Sequence, residues 1–291
     1  MSDDPFVTHR SLLFTVAYEM LGSAADAEDV VQEAWLRWAA VDRSEVRDPR
    51  AYLVRTVTRQ ALNRLRTLTR RREEYVGEWL PEPLLTGPDV ADDVELAERV
   101  SIALLTVLET LGPTERAVFV LREVFDVPYD EIAGALERSP AAVRQIAHRA
   151  REHVAARRPR MEVSRAEQEA AVERFRAALQ TGDVQGLLDV LAPDVVVVAD
   201  GGGLVPAARR PVTGAEQVAR LLAGFQRIAP RAEVATVSIN GAPALRIDLD
   251  GQLDTAVSVT VEGGLITRVY AIRNPRKLAR FGRETELSRR A

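Results

Sequence analysis

Between Arg50 and Arg72 the chain carries eight arginines and no carboxylate, and the apolar residues among them, in AYLVRTVTRQALNRLR, recur at helical spacing. A helix built this way can bury only its apolar stripe, which leaves Arg55, Arg59 and Arg66 along one exposed strip. Asp48-Pro49 gives it a start, because proline is tolerated in a first helical turn. A second arginine-dense stretch runs from Arg138 to Arg160, although the whole chain is slightly acidic, with a formal net charge of −4. From Glu19 to Glu33 there are five carboxylates and no base. Such segregation implies two surfaces with different partners. A cationic helix neutralises DNA phosphates by releasing their counterions, whereas an acidic one is free to meet a basic protein. For either run alone, a merely solvated face is the plain alternative.

Composition narrows the field. A chain of 291 residues with 46% hydrophobic content is long enough for two or three domains, each with its own core. It has no cysteine, which excludes disulfides and thiolate metal sites, and its three histidines, His9, His148 and His153, are too few for a convincing zinc site. No metal and no cofactor are expected. No signal peptide or long apolar segment stands out, and the run from Val195 to Ala199 is far too short to span a bilayer, so the expectation is a cytoplasmic protein with no membrane partner.

The reading along the chain is of a multidomain protein. Residues 1–75 read as an all-helical domain in which Asp26, Asp29 and Glu33 share one helical face, Ala27, Val30, Val31 and Ala34 form an apolar stripe, and Trp35 and Trp38 extend the apolar side. Residues 76–97 read as an acidic linker. The segment EWLPEPLLTGPDVADDVELAE has seven acids, no base and three prolines, so no regular helix is expected before Pro88. Trp79, Leu80, Leu84 and Leu85 form an apolar group inside it, which a free linker would not carry; docking is expected, with an incidental exposed cluster as the alternative.

Residues 98–160 read as a second helical domain with helix-turn-helix spacing: residues 129–135, a turn at 136–139, and residues 140–156 capped by Ser139 with Pro140 in the first turn. Val143, Ile146, Ala147 and Ala150 face inward. Ala141, Arg144, Gln145 and His148 then lie outward with Arg149 beside them, and Arg and Gln are side chains that read purine edges in the major groove. A plain helical hairpin is the competing reading. Glu137 sits where the turn often wants glycine.

Residues 161–280 read as an α+β domain and 281–291 as a tail. Two amphipathic helices, 165–179 and 184–191, precede strands at 194–200, 232–239, 244–249, 256–261 and 266–272, interrupted by one helix at 214–227. The turn pairs Asn240-Gly241, Asp250-Gly251 and Gly263-Gly264 break a run expected to be antiparallel, in a curved sheet that wraps around helices.

Three segments in this order, DAEDVVQEAWLRW from Asp26 to Trp38, PRAYLVRTVTRQALNRLR from Pro49 to Arg66, and VPYDEIAGALERSPAAVRQIAHRAR from Val127 to Arg151, together resemble the extracytoplasmic-function (ECF) sigma factors of bacterial RNA polymerase. The resemblance to their two-domain core covers about residues 6–158. It implies that Asp26, Asp29, Gln32, Glu33, Trp35, Arg37 and Trp38 bind core RNA polymerase at the β′ clamp helices, with the β flap as a further partner. Arg55, Arg59, Asn63 and Arg66 would recognise and open the −10 element of promoter DNA, and Arg144, Gln145, His148 and Arg149 would read the −35 element. Arg59 stands where many members have Asn, Asn63 where many have Asp, and Glu137 replaces the usual turn glycine.

WLPEP (Trp79, Leu80, Pro81, Glu82, Pro83), the DGGG loop (Asp200, Gly201, Gly202, Gly203) and NPRKL (Asn274, Pro275, Arg276, Lys277, Leu278) are similar to motifs of a SigJ-type subgroup, whose C-terminal domain is a SnoaL-like, NTF2-like cone. Leu204 and Arg276 depart from the subgroup's DGGGK and NPDKL. The resemblance implies regulation in cis by the appended domain, with no separate anti-sigma factor, and leaves a small ligand in that domain open. Trp79 is expected between linker and C-terminal domain, with residues 274–278 near the sigma core. A conventional helix-turn-helix regulator is the second reading, but it leaves residues 26–38 unexplained. An enzyme is the third, with Asp200, Asp248 and Asp254 as candidate carboxylates; no recognisable Asp/His pair accompanies them, so no catalytic residue is assigned.

Overall fold

The computed structural model describes residues 4–72, 74–157 and 163–289; for residues 69–72, 91, 92, 94, 226 and 227 only the backbone is described. Arg158 and Arg160 of the second basic stretch, and the side chains of Arg70, Arg71 and Arg72 of the first, lie outside the description. Three helices come first, α1 (Pro5–Leu21), α2 (Ala24–Ala39) and α3 (Pro49–Arg72), then two short ones, α4 (Pro88–Asp92) and α5 (Val94–Val100). Next are α6 (Ile102–Leu108), α7 (Pro113–Phe119), α8 (Tyr129–Leu136) and α9 (Pro140–Ala155). The α+β part contains α10 (Arg165–Thr181), α11 (Val184–Val190), β1 (Leu191–Asp200), β2 (Val212–Thr213), α12 (Ala215–Ile228), β3 (Glu233–Ile239), β4 (Ala242–Leu249), β5 (Gln252–Glu262), β6 (Leu265–Ile272) and α13 (Pro275–Leu278).

The chain divides into two compact units. One comprises Met1–Glu73, Leu104–Arg158 and Glu286–Ala291; the other comprises Glu74–Ala103 and Pro159–Thr285. The acidic linker thus belongs with the α+β part, and the two helical domains read from the sequence form one unit.

In the first unit the Asp4 carboxylate caps α1 by accepting from Phe6 N–H at 3.0 Å, Pro5 opens the helix, and Gly22 ends it at a φ of 64° that glycine adopts without penalty. Asp4 also accepts from the Trp38 indole N–H at 3.0 Å and from Arg43 Nη2 at 3.0 Å. Trp38 is therefore only 1% exposed. Burial by itself would raise the Asp4 carboxyl, but these hydrogen bonds and the Arg43 charge outweigh it and hold the group below its ordinary 3.8. Because the folded value is depressed, the stability it contributes is present above the unfolded value of 3.8 and is lost as pH falls below it. Asp4→Ala is expected to cost about 1–3 kcal/mol, since it removes a cap and orphans a buried indole. Chemical denaturation at pH 7 and at pH 3 checks both points: the gap between variant and parent should shrink in acid.

Arg116 of α7, 1% exposed, donates from Nε and Nη2 to the Glu19 carbonyl at 3.0 and 2.9 Å and pairs with Glu109, fastening α7 to α1. A buried arginine making these contacts helps to explain why residues 4–72 and 104–157 pack as one body. The segment read as a tail is also engaged: Phe281 is buried in the second unit, and Ser288 N–H donates to Thr15 Oγ1 at 3.0 Å in the first.

The second unit has the expected α+β cone architecture, a six-stranded sheet ordered β2-β1-β6-β5-β4-β3. The sequence reading is corrected in one respect. β1 pairs with β6 in parallel, with Val197 opposite Val269 and Ala199 opposite Ala271, so the sheet is mixed and not wholly antiparallel. The intervening α12 and four strands, β2 to β5, return the chain to the same end of the sheet, as a parallel pair requires. β2 was not anticipated, because two residues carry no alternation. The three turn pairs do join β3 to β4, β4 to β5 and β5 to β6, each with both residues at positive φ, from 50° to 77°.

Alternation along the strands separates two cores. Leu245, Ile247, Val257 and Val269 face α10, α11 and α12. Ala244, Ala256, Tyr270 and Ile272 face the other way and pack with Leu80, Ile102, Leu278 and Phe281. The linker thus covers one face of the sheet, and burying Leu80 completely contributes on the order of 1.5–3 kcal/mol.

Candidate functional site

On α2, Asp29, Gln32, Glu33 and Leu36 recur at i, i+3, i+4 and i+7 and are exposed together or, for Asp29, half-exposed. Leu36 is 64% exposed and lies outside the set expected from the sequence, because apolar periodicity marks the inward stripe and not an apolar residue on the outward face. Trp35 borders this face, packed on Phe6 at 5.0 Å and partly open to solvent. Two residues of the expected polymerase set have partners within the helical unit. Trp38 is a core residue, for the reason given by Asp4. Asp26 has only 18% of its side chain exposed and accepts from Arg64 Nε at 2.7 Å, so it holds α3 against α2, while Asp29 takes the other end of the same guanidinium at 3.1 Å.

Arg37, expected beside those acids, instead lines a recess of about 210 Å³ with Tyr52, Arg55, Thr56 and Arg59. An aromatic ring and three guanidiniums around a small hollow make a site for an anion or for a base stacked between planar groups. Asn63 and Arg66 are exposed farther along α3, with 3.4 Å between Arg66 Nη1 and Asn63 Oδ1. Arg59 is already engaged: its Nε and Nη2 donate to the Ala135 and Gly134 carbonyls at 3.0 Å each, at the C-terminus of α8, with Glu137 at 3.4 Å. A cation at a helix C-terminus satisfies orphan carbonyls and meets the negative end of the dipole.

The helix-turn-helix is present, with α8 one residue longer than read. Ser139 caps α9 by accepting from Ala142 N–H at 3.2 Å, and Glu137 occupies the left-handed turn at φ 56° in place of glycine. Val143, Ala147 and Ala150 are buried, whereas Arg144, Gln145, His148 and Arg149 are all exposed on one side.

In the second unit the three short motifs meet. The Asp200 side chain is fully buried and accepts from Tyr75 Oη at 2.6 Å, Leu80 N–H at 2.9 Å, Gly202 N–H at 3.0 Å and Lys277 Nζ at 2.6 Å. Lys277 is the only lysine in the chain. It also donates to the Leu80 carbonyl and lies 4.0 Å from the Trp79 ring centroid and 5.1 Å from that of Tyr75. Asn274 caps α13 and donates to Tyr75 Oη at 2.7 Å. A Cβ on Gly202 would come 2.2 Å from Asn274 Nδ2, and one on Gly203 would meet Val76 at 3.0 Å, so the glycine run is needed for this approach. Burial and the Asp200 carboxylate push the Tyr75 hydroxyl well above its ordinary value, which keeps it a proton donor.

Pro81, Glu82 and Pro83 are buried, and Trp79 is half-buried under Lys277, less covered than expected. Farther along, Leu84 N–H donates to Asn240 Oδ1 at 2.9 Å, Asn240 Nδ2 donates to the Val100 carbonyl at 2.7 Å, and Leu85 bridges Ile239 at the edge of β3. The linker thereby covers an otherwise open sheet edge. Pro275 opens α13, and Leu278 joins the core beneath Leu80. Tyr75 and Asn240 were not foreseen. The other candidate carboxylates are paired: Asp248 with Arg246 at 2.8 Å and Asp254 with Arg273 at 2.8 Å.

A helical unit that carries a helix-turn-helix and an appended α+β cone define the class, and the comparisons agree. Residues 6–71 match the Sigma-70 region 2 family and residues 101–154 match Sigma-70, region 4. The chain is 39% identical to the ECF RNA polymerase sigma factor SigJ of Mycobacterium tuberculosis, over 95% of this chain and 93% of that protein. It is 32% identical to the probable ECF RNA polymerase sigma factor SigI of the same species, over 93% and 92%. The crystal structure of Mycobacterium tuberculosis SigJ superposes with a TM-score of 0.77 at 35% identity, covering 94% of this chain and 97% of that one. The chain belongs to the ECF RNA polymerase sigma factors. Among the described residues no helix is long and apolar enough to cross a membrane, and no group of side chains could hold a metal ion.

Proposed function

We propose that this sigma factor docks its α2 face on the β′ clamp helices, takes the opened −10 strand in the arginine recess of α3, reads the −35 element with α9, and is regulated in cis by its C-terminal domain. The observation that carries the regulatory part is the Asp200–Lys277–Tyr75 cluster, by which the C-terminal domain grips the linker between the two sigma regions. A domain joined by a short tether acts at an effective concentration on the order of millimolar, so it takes the place that a separate anti-sigma protein would hold. Because Asp200, Asp248 and Asp254 are each held in ion pairs, the domain reads as a regulator and not a catalyst.

Arg59 lines the recess but spends Nε and Nη2 on the C-terminus of α8, so engaging the −10 strand with its whole guanidinium requires α3 to release the helix-turn-helix. Run-off transcription with core polymerase tests the regulatory reading. Lys277→Met should change promoter activity several-fold while leaving polymerase binding intact, as a coupling of roughly 1–3 kcal/mol implies. Transcription equal to the parent's would sink it.

The DNA assignment makes a separate prediction. Arg144→Ala with Gln145→Ala should lose about 1–3 kcal/mol per base contact and relax selectivity at those −35 positions. Arg66→Ala should weaken all sequences alike and flatten the salt dependence. Binding selections against randomised −35 sequences distinguish the two patterns.

A further inference from the structure

Between α10, α12 and the inner face of the sheet lies a cavity of about 530 Å³, walled by Phe175, Val197, Leu222, Phe225, Val257 and Val269. This volume falls in the range of sites that hold drug-sized ligands, roughly 300–1,000 Å³. At its mouth on α12 stand Leu221 and Ile228, 46% and 85% exposed. Among the described residues the lining includes two charged side chains, and both are engaged. Arg220 pairs with Glu216 at 2.7 Å, and Arg273 donates to Asp254 through Nε and Nη2 and to the Pro206 carbonyl through Nη1. Burial alone would raise the Asp254 carboxyl, but its bonds from Arg273 and Thr255 hold it below its ordinary value, so the pair stays ionised and self-neutralised. An anionic ligand would have to break that pair. Among the described residues no carboxylate or imidazole lines the cavity.

The cavity shares a wall with the linker clamp. Ala199 of β1 lines it, and the next residue, Asp200, points to the opposite face and holds Tyr75 and Leu80. Pro206, Ala207 and Ala208 line it too, and the same three residues line a second recess that includes Val76, Gly77, Gly201 and Gly203. Arg273 joins both sides, because its backbone N–H donates to the Asp200 carbonyl at 2.7 Å while its side chain holds Pro206. Filling the cavity would pin the loop from Gly201 to Ala208 and, with it, the partners of Asp200.

We propose that this cavity binds an uncharged, largely apolar small molecule, and that its occupancy tightens the grip of Asp200 on the linker; the second clause rests on the regulatory reading above. The probe is N-phenyl-1-naphthylamine, whose fluorescence rises in apolar surroundings, added to the full-length protein. Its anionic counterpart is 8-anilino-1-naphthalenesulfonate. The neutral probe should bind at least about tenfold more tightly than the sulfonate, because a buried unpaired charge is costly. Ala271→Phe, which fills the cavity from β6, and Ala208→Trp, which fills it from the surface loop, should each weaken binding about tenfold or more with the helical circular dichroism unchanged. Hydrogen exchange at the Leu80 amide should slow about fivefold on saturation, the lower end of ordinary site-to-site coupling.

Undiminished probe binding by both filled variants that remain folded overturns the site, as does no binding by the parent. Equal binding of the sulfonate overturns the ligand class, and unchanged exchange at Leu80 overturns the coupling. If probe binding and slowed exchange are found but Lys277→Met transcribes like the parent, the regulatory reading fails while the site stands. If Lys277→Met alters transcription and the probe does not bind, the reverse holds.

Discussion

Asp200→Ala will cost the second unit about 3–5 kcal/mol, because removing one partner of a buried ion pair leaves the other charge uncompensated. The stranded group is Lys277, whose side chain is 12% exposed, and the change also orphans the Tyr75 hydroxyl and the Leu80 amide. For a unit of this size that loss lowers the melting temperature by on the order of 10 °C, readable by calorimetry. The decisive arm is the double variant Asp200→Ala with Lys277→Met, which removes both charges and should recover part of the loss. Strict additivity of the two single changes would show that the ion pair carries no coupling and would refute the clamp as described. A milder effect is expected for Asp200→Asn, whose amide oxygen can still accept from Leu80 or Tyr75.

The clamp also shows which parts of a site a sequence discloses. The DGGG loop was legible because three successive glycines have few structural uses, and close approach of another segment is one of them. Trp79 and Leu80 were legible because apolar residues in an acidic, proline-bearing stretch require cover. Tyr75 and Asn240 were not, since Tyr75 lies 125 residues from its partner Asp200 and Asn240 lies 156 residues from Leu84, and nothing local marks either side chain. Asn240 reads as an ordinary turn residue, and it is one; its amide does a second task that only the tertiary fold supplies.

The same limit governs the helical unit. Periodicity placed Trp35 and Trp38 on one apolar side, but three residues turn a helix through about 300°, so the two rings need not share a surroundings. The Asp4 carboxylate, supplied from the start of α1, draws Trp38 into the core. The charge pattern on α2 was read correctly as a face, yet its first member, Asp26, is spent on Arg64. Strand positions followed from alternation and turn pairs, whereas the parallel β1–β6 pairing depends on where the chain re-enters the sheet. Alternation has the same period in either orientation.

Reversing Asp29 and Glu33 to arginine should lower affinity for core polymerase at least about 100-fold, the scale of truncating well-placed interfacial charges, with little loss of fold. Both side chains are substantially exposed, and the bridge from Asp29 to Arg64 is 3.1 Å long with each partner open to solvent, so its loss costs about 0–1 kcal/mol. Leu36→Asp should weaken binding without changing the melting temperature, because a leucine 64% exposed beside those acids has little to lose on folding and an apolar contact to lose on docking. Asp26→Asn supplies the contrast. Its carboxylate holds α3 to α2 through Arg64, so it should lower stability more than it lowers affinity per folded molecule. Titration of fluorescently labelled protein into core polymerase, paired with melting curves, separates the two patterns. Full binding by a folded Asp29→Arg, Glu33→Arg protein would move the polymerase contact off α2 altogether, and loss of affinity in Asp26→Asn at unchanged stability would show that Asp26 contacts the polymerase as well as Arg64.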